Sequence, residues 1–418
     1  MIRNPWSLAL AIAIALSLPS GAPSQEANSG FSVPVTIGAD ARYSRSSDDG
    51  GFGTAGLRVV LSPSLQLGSH WFAYAVLNGQ SSSYLPYEIG LDTYAAARFT
   101  VMQAYLGYRV DFNSASLLIK AGRLASAFGL YPLEYDDAKS PLIEPPPLYT
   151  SNLLLRPDQI PCNIADVVSQ SYDDDIQFHC GGSNAQRYGL VPVTLYGMPG
   201  AEAQLSWNRL DARIQLTNSS PANPQSLLSR SQYVQWAGGG GYSLPGGLHL
   251  GVSGFRGPYL DRVLAPLLAP DQRLSDFSAD GIGVDGQWSG GRWSLEGEWQ
   301  RFRFGVPGFL ASPSDQGAYI QVKRIVSPRV FAALRSSVEQ PGGATDAYGQ
   351  TTGQTDSRQE IQEFVLGYRV NRLQLLKTGI NYTNRSGWWL GSGYNPSEHR
   401  FGLEIQFVTS LSGFSKGY

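Results

Sequence analysis

Charged side chains at alternate positions are the first chemistry this sequence offers. Asp285, Glu296, Glu298, Lys323, Arg335, Glu363, Arg369, Lys377, Arg400 and Glu404 each stand next to a large apolar residue. In an extended chain, neighbours point to opposite faces, so one face collects charge and the other hydrocarbon. A charge at mid-strand costs ~2–4 kcal/mol if it faces lipid, so the charged face is expected to line water. Asp40, Arg58, Arg109, Lys120 and Arg213 extend the same set toward the N-terminus. A ring of one sign selects ions of the other. This set is mixed and only mildly basic. It fits a transverse field across a lumen, or charges that solvate the wall and pair across strands.

One stretch breaks the alternation. A strand-like run, Ser116 to Lys120, enters Ala121 to Gly129, and roughly sixty residues with little period follow, long for a loop in a compact scaffold. This insertion, about residues 125–187, carries six prolines from Pro141 to Pro161 and both cysteines, Cys162 and Cys180. In an exported chain the pair is expected as a disulfide closing about nineteen residues, worth ~3 kcal/mol. A metal reading would recruit His179, but two cysteines and one histidine fall short of a closed site. Arg123 stands where strand gives way to insertion and is expected at a constriction. Asp173, Asp174 and Asp175 are candidates for the opposing wall, for a weak calcium site, or for a solvated loop tip, which is preferred.

Catalytic chemistry finds little support. His70, His179, His249 and His399 are the four histidines, and none lies in a nucleophile motif such as Gly-x-Ser-x-Gly. Gly238 to Gly241 lack the Lys-Ser/Thr of a phosphate loop, and in a strand such glycines allow close backbone approach. No cofactor is expected.

The elements that must position these residues are strands. The chain has 418 residues, with 48 glycines, 22 tyrosines and only 3 methionines, a composition of strands and turns. Charged residues make up 15 %, below the ~25 % of soluble domains. A formal net charge of −2 argues against nucleic acid. Arg3, the apolar run Leu8 to Leu18, and Ala22-Pro-Ser24 read as a signal peptide over residues 1–24, cleaved before Gln25. No later apolar run approaches the ~20 residues of a membrane helix.

Short turns at 208–211, 244–247, 289–292, 327–329 and 371–373 take turns with longer connections near 219–229, 257–275, 305–315, 340–358 and 385–396. Short periplasmic turns alternating with long extracellular loops, with both termini inside, require an even strand count. Sixteen strands are expected. The lipid face is expected to include Ile282, Val284, Leu295, Trp299, Ile320, Phe364, Leu366, Phe401, Leu403 and Phe407. Trp207, Trp288, Trp293 and Phe331 sit beside short turns, as an interfacial aromatic girdle would.

Two stretches carry a family likeness. Ala121 to Leu130 resembles the Gly-Arg/Lys…Phe-Gly-Leu segment of the phosphate-selective porin superfamily, and Ala203 to Asn218 resembles its post-loop hairpin. The resemblance implies a sixteen-stranded barrel, often a homotrimer, whose third long loop narrows the pore. Two features depart from the pattern. A tail, Val408 to Tyr418, follows the last alternating phenylalanine, and no dense lysine and arginine constellation marks a phosphate site.

The expected protein is an all-β closed antiparallel transmembrane β-barrel spanning residues 25–418 in the bacterial outer membrane. Its partners are outer-membrane lipid and small hydrophilic solutes or ions. Its expected pore-lining residues are Arg109, Lys120, Arg123, Arg213, Arg335, Arg369 and Asp173 to Asp175. The alternatives are a non-conducting adhesin or anchor, and a barrel hydrolase.

Overall fold

The computed structural model describes residues 30–47, 51–81, 84, 97–134, 136–151, 153, 155–169, 180, 192–193, 196–218, 234–390 and 393–411. The proposed signal peptide and Asp173 to Asp175 lie outside them. Sixteen long strands among the described residues form one antiparallel barrel. The first eight are β1 (Val35–Ser46), β2 (Phe52–Leu61), β3 (Trp71–Ser81), β4 (Ala97–Asp111), β5 (Ala115–Ala125), β6 (Tyr196–Trp207), β7 (Leu210–Thr217) and β8 (Gln235–Leu244). The second eight are β9 (Leu248–Pro258), β10 (Ser278–Gly290), β11 (Trp293–Phe304), β12 (Ser314–Ile325), β13 (Val330–Pro341), β14 (Arg358–Arg369), β15 (Gln374–Leu390) and β16 (Gly393–Leu411).

Each strand pairs with the next, and β16 closes on β1 from Val35↔Leu411 to Ser46↔Arg400. Closure leaves no unpaired sheet edge, which is what a strand protein needs in hydrocarbon. Short pieces extend the first two strands: Phe31–Ser32 precedes β1, and Ser64–Leu67 continues β2. Pro34 and Pro63 mark the breaks, since proline has no N–H for the ladder.

The alternation behaves as the strand period demands. Val252, Ile282 and Ile320 are each more than half exposed on the outside, while Ser253, Asp285 and Tyr319 on the same strands are buried inside. An exposed belt of large apolar residues around a closed barrel is a membrane-spanning surface. Trp71, Trp207, Trp288 and Trp293 rim the belt at the short-turn end, and the Arg324 guanidinium lies 4.9 Å over the Trp293 ring. Phe331 does not belong to this girdle. It points inward, is 3 % exposed and joins the interior cluster, because it shares the parity of Ala333 and Arg335. Phe407 has outward parity but is buried, so the fully exposed belt on β16 ends at Leu403.

The connection expected at 385–396 is instead ladder, paired down to Leu390↔Gly393. Beyond the membrane both strand faces are wet, so polar residues continue a strand without alternation.

Candidate functional site

Of the β5–β6 connection, the described residues 126–134 and 136–149 fold into the barrel. Inward side chains hold its backbone at points around the wall. On β7, Arg213 donates to the carbonyls of Ala127 and Gly129 at 2.9 and 2.8 Å. Gln215 accepts from the Ala127 N–H at 3.3 Å and donates to the Ala125 carbonyl at 2.7 Å. Ser253 on β9 accepts from the Gly129 N–H, and Glu298 on β11 from the Leu130 N–H at 3.0 Å. On β13 and β14, Arg335 reaches the Glu144 and Pro145 carbonyls while Glu363 accepts the Ile143 and Glu144 N–H groups. Lys377 on β15 donates to the Asp137 and Leu142 carbonyls at 2.8 and 3.0 Å. Arg42 on β1 pairs with Glu144, and Arg58 on β2 with Asp137.

These bonds follow from backbone accounting. A loop taken inside a barrel leaves behind the water that would satisfy its N–H and C=O groups, so wall side chains must supply partners. Tyr149 completes the clamp, donating to Glu298 at 2.8 Å. Burial, and the Glu298 charge after it, pushes the Tyr149 phenol well above its ordinary range, so it stays a donor. Gly129 has φ +78°, and a Cβ there would strike Tyr149 and Glu298.

Between these anchors the loop packs hydrocarbon on the wall. Phe128 meets Phe255 edge-on at 4.9 Å, and Leu148 and Ile143 join Tyr319 and Val365 in the same buried cluster. The inner face is therefore polar in part and apolar where the loop lies.

Water-accessible space remains beside the loop. A cavity of about 480 Å³ includes Tyr74, Tyr105, Lys120, Glu202, Asp211 and Arg213 in its lining. Lys120 and Glu202 pair at 3.0 Å, and the two acids balance the two bases. A second cavity of about 160 Å³ lies beneath Pro141, with Glu296 and Lys323 in its wall.

The expected site residues divide. Lys120 and Arg213 share the larger cavity. Arg335 is 2 % exposed and committed to the loop and Glu363. Arg109 and Arg369 have inward parity at the short-turn end, Arg109 paired with Asp111 at 3.0 Å. Arg123 pairs with Ala104 and Pro199 across the ladder. It therefore shares the outward parity of Ile119, not the inward parity of Lys120. Cys162 and Cys180 form a disulfide. Gln215, Gln300, Ser253 and Tyr149 were not among the expected residues. Their amides and hydroxyls carry no charge to mark them in a strand pattern.

One constellation is hydrolase-like. Ser243 Oγ lies 3.1 Å from His249 Nδ1, and His249 Nε2 lies 3.6 Å from Asp211. The carboxylate is beyond hydrogen-bond reach, and the surrounding backbone pairs within the β7–β8–β9 ladder. An oxyanion hole needs donors free to meet developing charge, so this is read as a cross-strand polar contact.

No protein-family model and no curated protein matches the chain. Solved structures do. The chain is similar to the anion-selective porin from Comamonas acidovorans, with TM-score 0.53, 12 % identity, 92 % of this chain and 100 % of that one covered. It is also similar to Salmonella typhi OmpF in complex with daunomycin, with TM-score 0.53, 11 % identity, 92 % and 99 % covered. The outer membrane channel DcaP of Acinetobacter baumannii matches with TM-score 0.53, 10 % identity, 93 % and 100 % covered. At these identities the likeness is one of architecture: the chain folds as a sixteen-stranded porin-like barrel of the outer-membrane type.

Proposed function

We propose that the chain is an outer-membrane porin for passive diffusion of small hydrophilic solutes, its lumen narrowed by the disulfide-stapled β5–β6 loop. Residues 1–24 export it, the apolar belt faces outer-membrane lipid, and the short turns lie in the periplasm. The observation that carries the reading is the pairing of an inserted loop with a charged, water-accessible cavity beside it. A barrel serving only as an anchor has no need to keep Lys120, Glu202, Asp211 and Arg213 in wet space.

Lys120 and Arg213 are proposed to line the narrowed passage, and Arg109 and Arg369 its periplasmic mouth. Arg335 acts by holding the loop. Charge balance in the larger cavity supports weak ion selectivity. The segment Ala121 to Leu130 supports a place near the phosphate-selective porin superfamily, and with it a trimer. A closed barrel acting as an anchor is the second reading, favoured by the apolar packing under the loop.

Liposome swelling separates the two. Vesicles carrying the folded barrel should swell in isotonic solutions of small sugars and amino acids, with rates falling as solute size rises. Vesicles that hold folded barrel and never swell would leave the anchor reading standing.

A further inference from the structure

We propose that the outer face of β9–β11, at the loop end of the belt, binds the phosphate groups of an anionic glycolipid in the outer leaflet. The inference rests on the membrane reading and goes beyond the channel.

Arg301 and Arg303 lie on β11 with the outward parity of Trp299. Both are exposed, and neither guanidinium has a hydrogen-bond or ion-pair partner among the described residues. The ladder sets Arg303 opposite Asp280, and Asp280 opposite Arg256. Arg256 pairs with Asp280 at 3.3 Å, so three arginines and one aspartate leave two positive charges on a patch three strands wide. Trp236 stands opposite Arg256.

Height places this patch. From Trp293 in the short-turn girdle to Arg303 the strand advances ten residues, ~33 Å along its axis, or ~25 Å after a ~40° tilt. That is the height of the apolar band of an outer-membrane barrel. The arginines therefore stand where hydrocarbon ends and headgroups begin. An unpaired guanidinium facing lipid is tolerated at that depth and stabilised by a counter-charge. Arginine's planar fork matches phosphate bidentately, and basic clusters at an interface read as anionic-lipid sites. Sidedness identifies the source: the patch is at the long-loop end, the face of the outer leaflet.

The test is native mass spectrometry of the full folded chain in detergent, with bisphosphorylated lipid A as probe. The wild type should retain the lipid, and R301Q/R303Q should bind it at least about tenfold more weakly, from the loss of charge-assisted hydrogen bonds. R301K/R303K should fall between the two. Dephosphorylated lipid A, which needs no variant, should not be retained. Equal retention of the dephosphorylated lipid, or of lipid A by a folded R301Q/R303Q, overturns the proposal. So does inorganic phosphate binding as tightly as the lipid. Flotation with phosphatidylcholine vesicles tests membrane insertion separately: a chain that does not float fails the membrane reading, whatever its lipid affinity.

Discussion

Arg335→Met bears most directly on how the loop is held. The guanidinium donates to the Glu144 carbonyl at 2.7 Å and the Pro145 carbonyl at 3.1 Å, and it pairs with Glu363. Glu363 in turn accepts the Ile143 and Glu144 N–H groups at 3.1 and 3.3 Å. Methionine keeps much of the reach and none of the donors, and it strands a carboxylate that is 1 % exposed. Breaking a buried pair from one side costs ~3–5 kcal/mol. The loop escapes that cost by detaching, which raises its open population by ~2–4 orders of magnitude. Hydrogen exchange of the Ile143 and Glu144 amides in detergent-folded protein reads this population. Exchange should accelerate by about that factor, with the β10 ladder amides unchanged. Adding Glu363→Gln removes the stranded charge, so the double variant should exchange more slowly than R335M alone. Equal protection in wild type and R335M would refute the idea that the wall holds the loop.

Three further outcomes are expected. Reducing Cys162–Cys180, whose separation is 18 residues, releases ~3 kcal/mol of loop constraint; protease should cut the loop faster while the heat-modifiable gel mobility of the barrel stays the same. Burial holds Asp356, between β13 and β14, at about 6 against an ordinary 3.8. The folded state then binds this proton more tightly, so the loop gains stability as pH falls from 7 through 6 toward 3.8 and loses it on the way up; limited proteolysis at pH 5 and pH 8 should show the difference, and Asp356→Asn should flatten it. Val284→Arg, in the middle of the belt opposite Trp299, should cost ~2–4 kcal/mol in urea titrations of folding into vesicles, and Gln287→Arg on the inner face of the same strand much less.

The barrel was legible because strand period and lipid demand the same thing. A slip of one residue on β10 would exchange Ile282 for Asp285's side of the wall, so the pattern has little freedom. Where that demand ends, so does the signal. Residues 385–396 read as a loop because an extramembrane strand is wet on both faces and loses its alternation. Phe331 read as girdle because it lies beside a turn, but its parity is that of Arg335. The inward charges Glu298, Arg335, Glu363 and Lys377 were visible as inward. Their partners were not, because they are backbone groups of a loop with no period of its own. Arg123 was placed by its neighbourhood in the chain, and the ladder sets it on the other face. The disulfide was readable from two cysteines and the expectation of export alone.

A continuous aqueous path past the inserted loop is what the whole account requires. Folded barrel added to a planar lipid bilayer in potassium chloride should give discrete current steps whose size rises with salt concentration, and R335M should enlarge them or make them noisier. Protein that inserts, shows the heat-modifiable shift of a folded barrel and passes no current at any salt concentration would contradict it.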